Sequence, residues 1–289
     1  VGSEMCIRDR NVSDRIRALI KKYSKSDMNN QTLFNALGFK WDRSKIPSII
    51  PTYTVEAACF RFMRNLPEFI WSAAVLEGNP FTFNEVKTLL DGITVGGHRI
   101  DDQEQILNLN ASTRHLISLV RSGEFELSKQ NFDSIHKLVA RNEALEWGNF
   151  RGEGEEKNYT PYVALGELGQ YNPIPTEDNA VTLNKVFDEG LEKLKTLPVF
   201  ERATAFFLFG ALQQFYFDGN KRSSRLMMCG ELLANGIAGI SIPAQKKEEF
   251  NEKMQDFYIN KDATLMMDFL VRCHPDVELI RKLNEAEQD

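Results

Sequence analysis

Apolar residues recur along most of this 289-residue chain at three- and four-residue intervals, the spacing of one face of an α-helix. Ser13 can cap a first helix with Ile16, Leu19 and Ile20 on one side. The Trp- and Pro-containing stretch from Trp41 to Thr54 reads as a linker or irregular crossing. Val55 to Leu76 is strongly apolar, with Pro67 marking a break or a fresh helix start. Thr82 followed by Glu85 is a capping-box pattern opening a helix over Phe83–Leu90. Asp101–Val120 carries Ile106, Leu107, Leu109, Leu116 and Val120 as its stripe. Ser128 can cap Phe132–Ala140, where Ile135, Leu138 and Val139 face inward.

The helical rhythm stops between residues 148 and 176, where Gly148, Gly152, Gly154, Pro161, Gly166, Gly169, Pro173 and Pro175 punctuate the chain. Alternation around Tyr162-Val163-Ala164-Leu165 predicts a β-hairpin there, in a stretch long enough to be functional. Helices resume over Leu183–Leu194, Val199–Phe217, Lys221–Asn235 and Lys246–Tyr258, with a last pair after Ala263. No βαβ rhythm and no internal repeat is present. The expected fold is all-α with one small hairpin.

Composition changes this picture little. Hydrophobic residues at 42% and charged residues at 26% are ordinary for a globular protein. A net charge of −6 argues against nucleic-acid binding by broad phosphate neutralisation. Cys6, Cys59, Cys229 and Cys273 lack metal-ligand spacing and read as buried thiols of a reducing, cytoplasmic setting. No apolar stretch approaches the roughly 20 residues that span a membrane. Val1–Arg10 fits neither a signal peptide nor a helix and reads as a non-native or disordered leader.

The chemistry concentrates in residues 214–225, Gln-Phe-Tyr-Phe-Asp-Gly-Asn-Lys-Arg-Ser-Ser-Arg. The apolar run before it (Phe206, Phe207, Phe209, Leu212, Phe215) predicts a buried helix stopping near Asp218-Gly219, since glycine readily takes the left-handed conformation. A second helix begins near Asn220, with Leu226, Met227 and Leu232 buried. A glycine turn before a helix N-terminus aims backbone N–H groups at one point and binds anions. Lys221, Arg222 and Arg225 add positive charge. Asp218 is a poor choice for an anion site alone but suits a Mg²⁺ that bridges two phosphates. Taken alone, Asp218-Gly219-Asn220 is an ordinary turn; the arginines at these offsets favour a nucleotide site.

Phe217 to Arg225 resembles the signature of Fic domains, His-x-Phe-x-(Asp/Glu)-Gly-Asn-x-Arg-x-x-Arg. Asp218, Gly219, Asn220, Arg222 and Arg225 match; the family's histidine falls on Gln214 and its phenylalanine on Tyr216. The resemblance extends over roughly residues 50–275. It implies a Fic-type helical core with a β-hairpin flap, here near Thr160–Tyr171, against which a target protein docks. It also implies ATP and Mg²⁺ as cofactors, with Gly219, Asn220, Lys221, Arg222 and Arg225 around the nucleotide and Asp218 on the metal. The implied reaction moves AMP onto a protein hydroxyl.

Ala73-Ala74-Val75-Leu76-Glu77-Gly78-Asn79 is similar to the inhibitory motif (Ser/Thr)-x-x-x-Glu-(Gly/Asn) found upstream of many Fic cores. Glu77 would then pair with Arg225 and keep the γ-phosphate from settling. The Ser/Thr position is Ala73, with Ser72 adjacent as a partial substitute. Glu77-Gly78-Asn79-Pro80 also reads as an ordinary helix end.

In the family the histidine takes the proton of the attacking hydroxyl, help worth typically 10²–10⁴-fold. A glutamine at position 214 can orient a hydroxyl but carries no proton away. His98, His115, His136 and His274 lie far from the signature in sequence and read as core or surface residues. Three functions are compatible with these residues: a transferase of weakened or altered chemistry, a catalytically inactive nucleotide- or protein-binding module, and a helical scaffold. Retention of Asp218, Asn220, Arg222 and Arg225 favours the first two. The expected organisation is a leader (1–10), an N-terminal helical extension (11–50), the Fic-like domain (51–275) and a helical tail (276–289). Residues 11–50 leave homodimerisation and partner choice both open.

Overall fold

The computed structural model describes residues 28–287. Val1–Arg10, the helix expected after Ser13, and Cys6 lie outside the described residues. Helix α1 covers residues 28–37 of those described. It is followed by α2 (Val55–Arg64), α3 (Leu66–Leu76), α4 (Phe83–Leu90), α5 (Ile100–Ser122) and α6 (Lys129–Val139). A hairpin of β1 (Val163–Ala164) and β2 (Gln170–Tyr171) intervenes before α7 (Val181–Leu194), α8 (Val199–Gln213) and α9 (Asn220–Ala234). Then come α10 (Lys247–Asn260), α11 (Thr264–Arg272) and α12 (Val277–Ala286). Among the described residues the protein is all-α apart from this hairpin, whose antiparallel register pairs Val163 with Tyr171 and Ala164 with Gln170.

Helices α8 and α9 form the central pair. Every residue from Ala203 to Phe217 is buried, as expected for a helix apolar on all sides. The two helices meet closely where Gly210 faces Ser224: a Cβ on Gly210 would strike the Ser224 hydroxyl. Helices α5 and α6 cover α9, α7 covers α8, and α3 lies across α4 and α5. Around Phe132 the rings of Phe150, Phe187, Phe206, Phe215 and Tyr216 pack mostly edge to face.

Local signals act as the sequence suggested in several places. Pro67 opens α3, separated from α2 by Asn65 alone. Thr82 and Glu85 make both bonds of a capping box, and Ser128 caps α6 by accepting from Asn131 N. Leu107 is an exception: it is exposed, because it lies about 100° around the helix from the buried Ile106. Helix α8 also ends earlier than expected, at Gln213, with Gln214 rather than Gly219 as the left-handed terminator (φ 52°). Gly219 (φ 73°) instead serves as the N-cap of α9. The reason lies in Asn220, whose side chain accepts from Tyr216 N and donates to Tyr216 O, at 2.9 and 2.8 Å. These bonds hold residues 215–219 as a loop.

Of the expected 11–50 extension, the described part is helical only over residues 28–37 and in a short 3₁₀ turn at Arg43–Lys45. It belongs to the same core as the rest: Leu33, Leu37, Phe39 and Trp41 are buried within it. Trp41 Nε1 and Arg43 both donate to the buried Glu201 of α8. Cys59, Cys229 and Cys273 are buried free thiols. Among the described residues no helix is long and apolar enough to cross a membrane.

Candidate active site

The loop between α8 and α9, the C-terminal end of α3 and the first hairpin strand enclose a cleft of about 240 Å³. Glu77, Tyr162, Gln214, Asp218, Lys221 and Arg222 contribute to its walls. The signature from Gln214 to Arg222 therefore lines one place, with the α9 N-terminus pointing into it.

Glu77 caps the C-terminal end of α3 and reaches across to α9. Its Oε1 lies 3.1 Å from Arg225 Nη2 and its Oε2 lies 3.3 Å from Lys221 Nζ. Burial opposes ionisation of this carboxyl, but Lys221, Arg225 and Arg222 outweigh it and hold the group at about 2. Glu77 is thus charged throughout the physiological range. Arg225 is buried beside the Phe250 ring, and its Nη1 has no hydrogen-bond partner among the described residues. Ser72, in contrast, lines a separate cavity with Arg61, Phe62 and Phe69 on the other side of α3. The two signature arginines diverge: Arg222 Nη1 pairs with Glu143 Oε2 at 2.6 Å, and Arg225 turns to Glu77.

Asp218 presents a side chain that is 65% exposed, with Arg222 Nη2 at 3.8 Å. A carboxylate left open to solvent beside a helix N-terminus, with Lys221 and Arg222 on the same cleft, fits a magnesium-bound polyphosphate.

Gln214 is nearly buried and its amide is engaged at both ends. Nε2 donates to Ala211 O at 2.6 Å, and Oε1 accepts from Asn220 Nδ2 at 3.1 Å. Its backbone carbonyl accepts from Arg151 Nε at 2.6 Å. Arg151 is fully buried without a carboxylate partner among the described residues; it spends its other nitrogens on Thr176 Oγ1 and Ile174 O, just beyond the hairpin. Burial lowers its guanidinium to about 10.

Tyr216 replaces the signature phenylalanine without leaving its hydroxyl stranded, because Asp133 Oδ1 accepts from it at 2.8 Å. Its ring stacks on His136 at 3.6 Å. His136 is far from the loop in sequence yet braces it: Nε2 donates to Asp218 O at 2.8 Å while Nδ1 accepts from Gly148 N at 3.1 Å. Both ring nitrogens are committed and burial lowers the imidazole to about 3, so His136 is no substitute base. Arg151, His136 and Glu143 were not singled out from sequence as site residues. Arg151 sits in the glycine-rich stretch and His136 on a helix face, and neither context carries a local signature.

The site thus lies on an all-helical core, at a turn between two buried helices with a hairpin beside it. No family profile matches the sequence. Curated relatives include protein adenylyltransferase Fic of Drosophila erecta, 28% identical over 189 residues, and protein adenylyltransferase fic-1 of Caenorhabditis elegans, 23% identical over 186 residues. Each match covers 63% of this chain but only 35% and 34% of the relative, so the chain spans about a third of the length of the curated relatives it matches. In structure the chain is similar to Fic-1 from C. elegans, with a TM-score of 0.62 at 17% identity, over 96% of this chain and 78% of that one. A Fic domain-containing signalling protein from Bacteroides thetaiotaomicron also gives 0.62 at 19% identity, over 89% and 97%. In sequence and in fold the chain is similar to Fic proteins.

Proposed function

We propose that this protein binds Mg²⁺–ATP in the cleft at the α9 N-terminus and is an adenylyltransferase-like protein. Its transfer of AMP to a protein hydroxyl is weakened because Gln214 stands in the place of the base. The observation that carries this reading is the convergence of Asp218, the α9 N-terminus and Arg222 on one cleft, with Glu77 at its wall paired to Lys221 and Arg225. The curated relatives named as protein adenylyltransferases support it.

Bound Mg²⁺–ATP would supply an electrophilic α-phosphate. Asp218 would hold the metal, while the N–H groups of the α9 first turn and Arg222 would receive phosphate oxygens. Glu77 occupies Arg225 and Lys221 and so opposes a phosphate at the same place. Its removal would free both cations. The hairpin, with Tyr162 exposed beside the cleft, would receive the target segment. Gln214 can donate or accept a hydrogen bond but cannot retain the hydroxyl proton. Phosphoryl-type transfer depends chiefly on positioning and charge neutralisation, so a residual reaction is compatible with its loss.

The locked amide of Gln214 favours a second reading, a nucleotide- or protein-binding module without catalysis. Incubation with α-labelled ATP separates the two, comparing wild type, Glu77→Gly, and Glu77→Gly with Gln214→His. Labelling by Glu77→Gly alone supports the transferase. Labelling only after the histidine is restored supports the binding module. Absence of Mg²⁺–ATP binding to Glu77→Gly by calorimetry would overturn the nucleotide site itself.

A further inference from the structure

Glu143 is the carboxylate in direct hydrogen-bond contact with Arg222 among the described residues, at 2.6 Å. It is brought there by the turn after α6, where Asn142 adopts a left-handed conformation (φ 63°). Two side-chain amides also donate to it. Asn108 Nδ2 donates to Oε1 at 3.1 Å and Gln105 Nε2 donates to Oε2 at 3.2 Å. Gln105 Oε1 in turn accepts from Asn79 Nδ2 at 3.0 Å. Asn79 lies two residues beyond Glu77 and is fixed by Phe81 N, which donates to its Oδ1, and by Asp102 O, which accepts from its Nδ2.

This chain of bonds has one direction. The carboxylate only accepts, so Gln105 must present its NH₂ to Glu143 and its oxygen to Asn79. Flipping the Gln105 amide would set donor against donor at one end and acceptor against acceptor at the other. The contact between Glu143 and Arg222 is monodentate, through Nη1, while Nη2 lies on the side of Asp218. Glu143 therefore steadies Arg222 without occupying its whole guanidinium.

We propose that Glu143 is the positioning residue for Arg222, and that Asn79, Gln105 and Glu143 relay the placement of the Glu77-bearing segment to that arginine. The functional half of this proposal rests on the nucleotide-site reading above. The segment that sets Glu77 against Arg225 thereby also sets Arg222. A shift of residues 77–79 loosens both arginines of the signature together.

The relay is tested without nucleotide by ¹⁵N-arginine NMR of the full chain, with the Arg222 guanidinium signal assigned through Arg222→Lys. Asn79→Ala and Gln105→Leu touch neither Arg222 nor its charge, yet each is expected to shift or broaden that signal. Thr82→Ala, on the same segment but outside the relay, is expected to leave it in place. An Arg222 signal unmoved by both relay variants would overturn the coupling. The positioning role is read by calorimetry with Mg²⁺–ATP in the Glu77→Gly background, where Glu143→Gln is expected to weaken binding roughly tenfold. Equal or tighter binding would make Glu143 a competing anion and overturn the role. If Glu77→Gly itself binds no Mg²⁺–ATP, the nucleotide reading and the positioning role fall together, while the NMR result still decides the relay.

Discussion

Glu77 satisfies two cations with its two oxygens, and Lys221, at a variable position of the signature, is one of them. Truncating Arg225 should expose what that cation does for a ligand. In the Glu77→Gly background, Arg225→Ala is expected to lower Mg²⁺–ATP affinity on the order of tenfold, since a charged hydrogen-bond donor is lost. Unchanged calorimetric affinity would remove Arg225 from the site. His136 makes a prediction about pH. Burial takes its imidazole from the ordinary 6.5 down to about 3. The unfolded chain binds that proton below about pH 6.5 and the native chain only near 3, so its contribution to stability is complete above 6.5 and is lost as pH falls toward 3. The slope in that window approaches about 1.4 kcal/mol per pH unit. His274, lowered by burial to about 4, acts in the same direction. Urea unfolding of wild type and His136→Asn should show a stability gap that narrows between pH 7 and pH 4.5. A constant gap would contradict the committed neutral imidazole.

At the scale of elements, the site depends on α6, which carries both Asp133 and His136 to the signature loop. Ser128→Ala removes the side-chain cap of that helix and is expected to cost about 1 kcal/mol in urea unfolding. Nucleotide binding should be retained, since no cleft residue lies in its first turn. The elements themselves were largely legible in the sequence. Proline, capping boxes and glycine clusters act over a few residues, and they marked α3, α4, α6 and the hairpin. The end of α8 was not legible. Its position is set by Asn220 gripping the Tyr216 backbone, a contact between a side chain and a loop that periodicity cannot encode. The same limit hid Arg151 and Glu143, whose partners lie 63 and 79 residues away. The signature pointed to the cleft, but nothing local in the sequence pointed to the residues that brace it.

At the scale of the whole molecule, residues 28–50 are fastened to the core by Glu201, which accepts from Trp41 and binds Arg43 through both oxygens. Glu201→Gln keeps the shape but weakens the charged bonds, and about 2 kcal/mol of unfolding free energy should be lost. A variant as stable as wild type would mean that this anchor contributes nothing. A different consequence follows from how position 214 is held. Arg151 grips its carbonyl, Asn220 grips the backbone two residues on, and the left-handed conformation there is one that histidine also tolerates. The backbone at that point is therefore held by contacts that do not involve the side chain it carries. A histidine placed there would meet the same backbone grip, and the exchange would cost the two bonds that the Gln214 amide makes to Ala211 and Asn220.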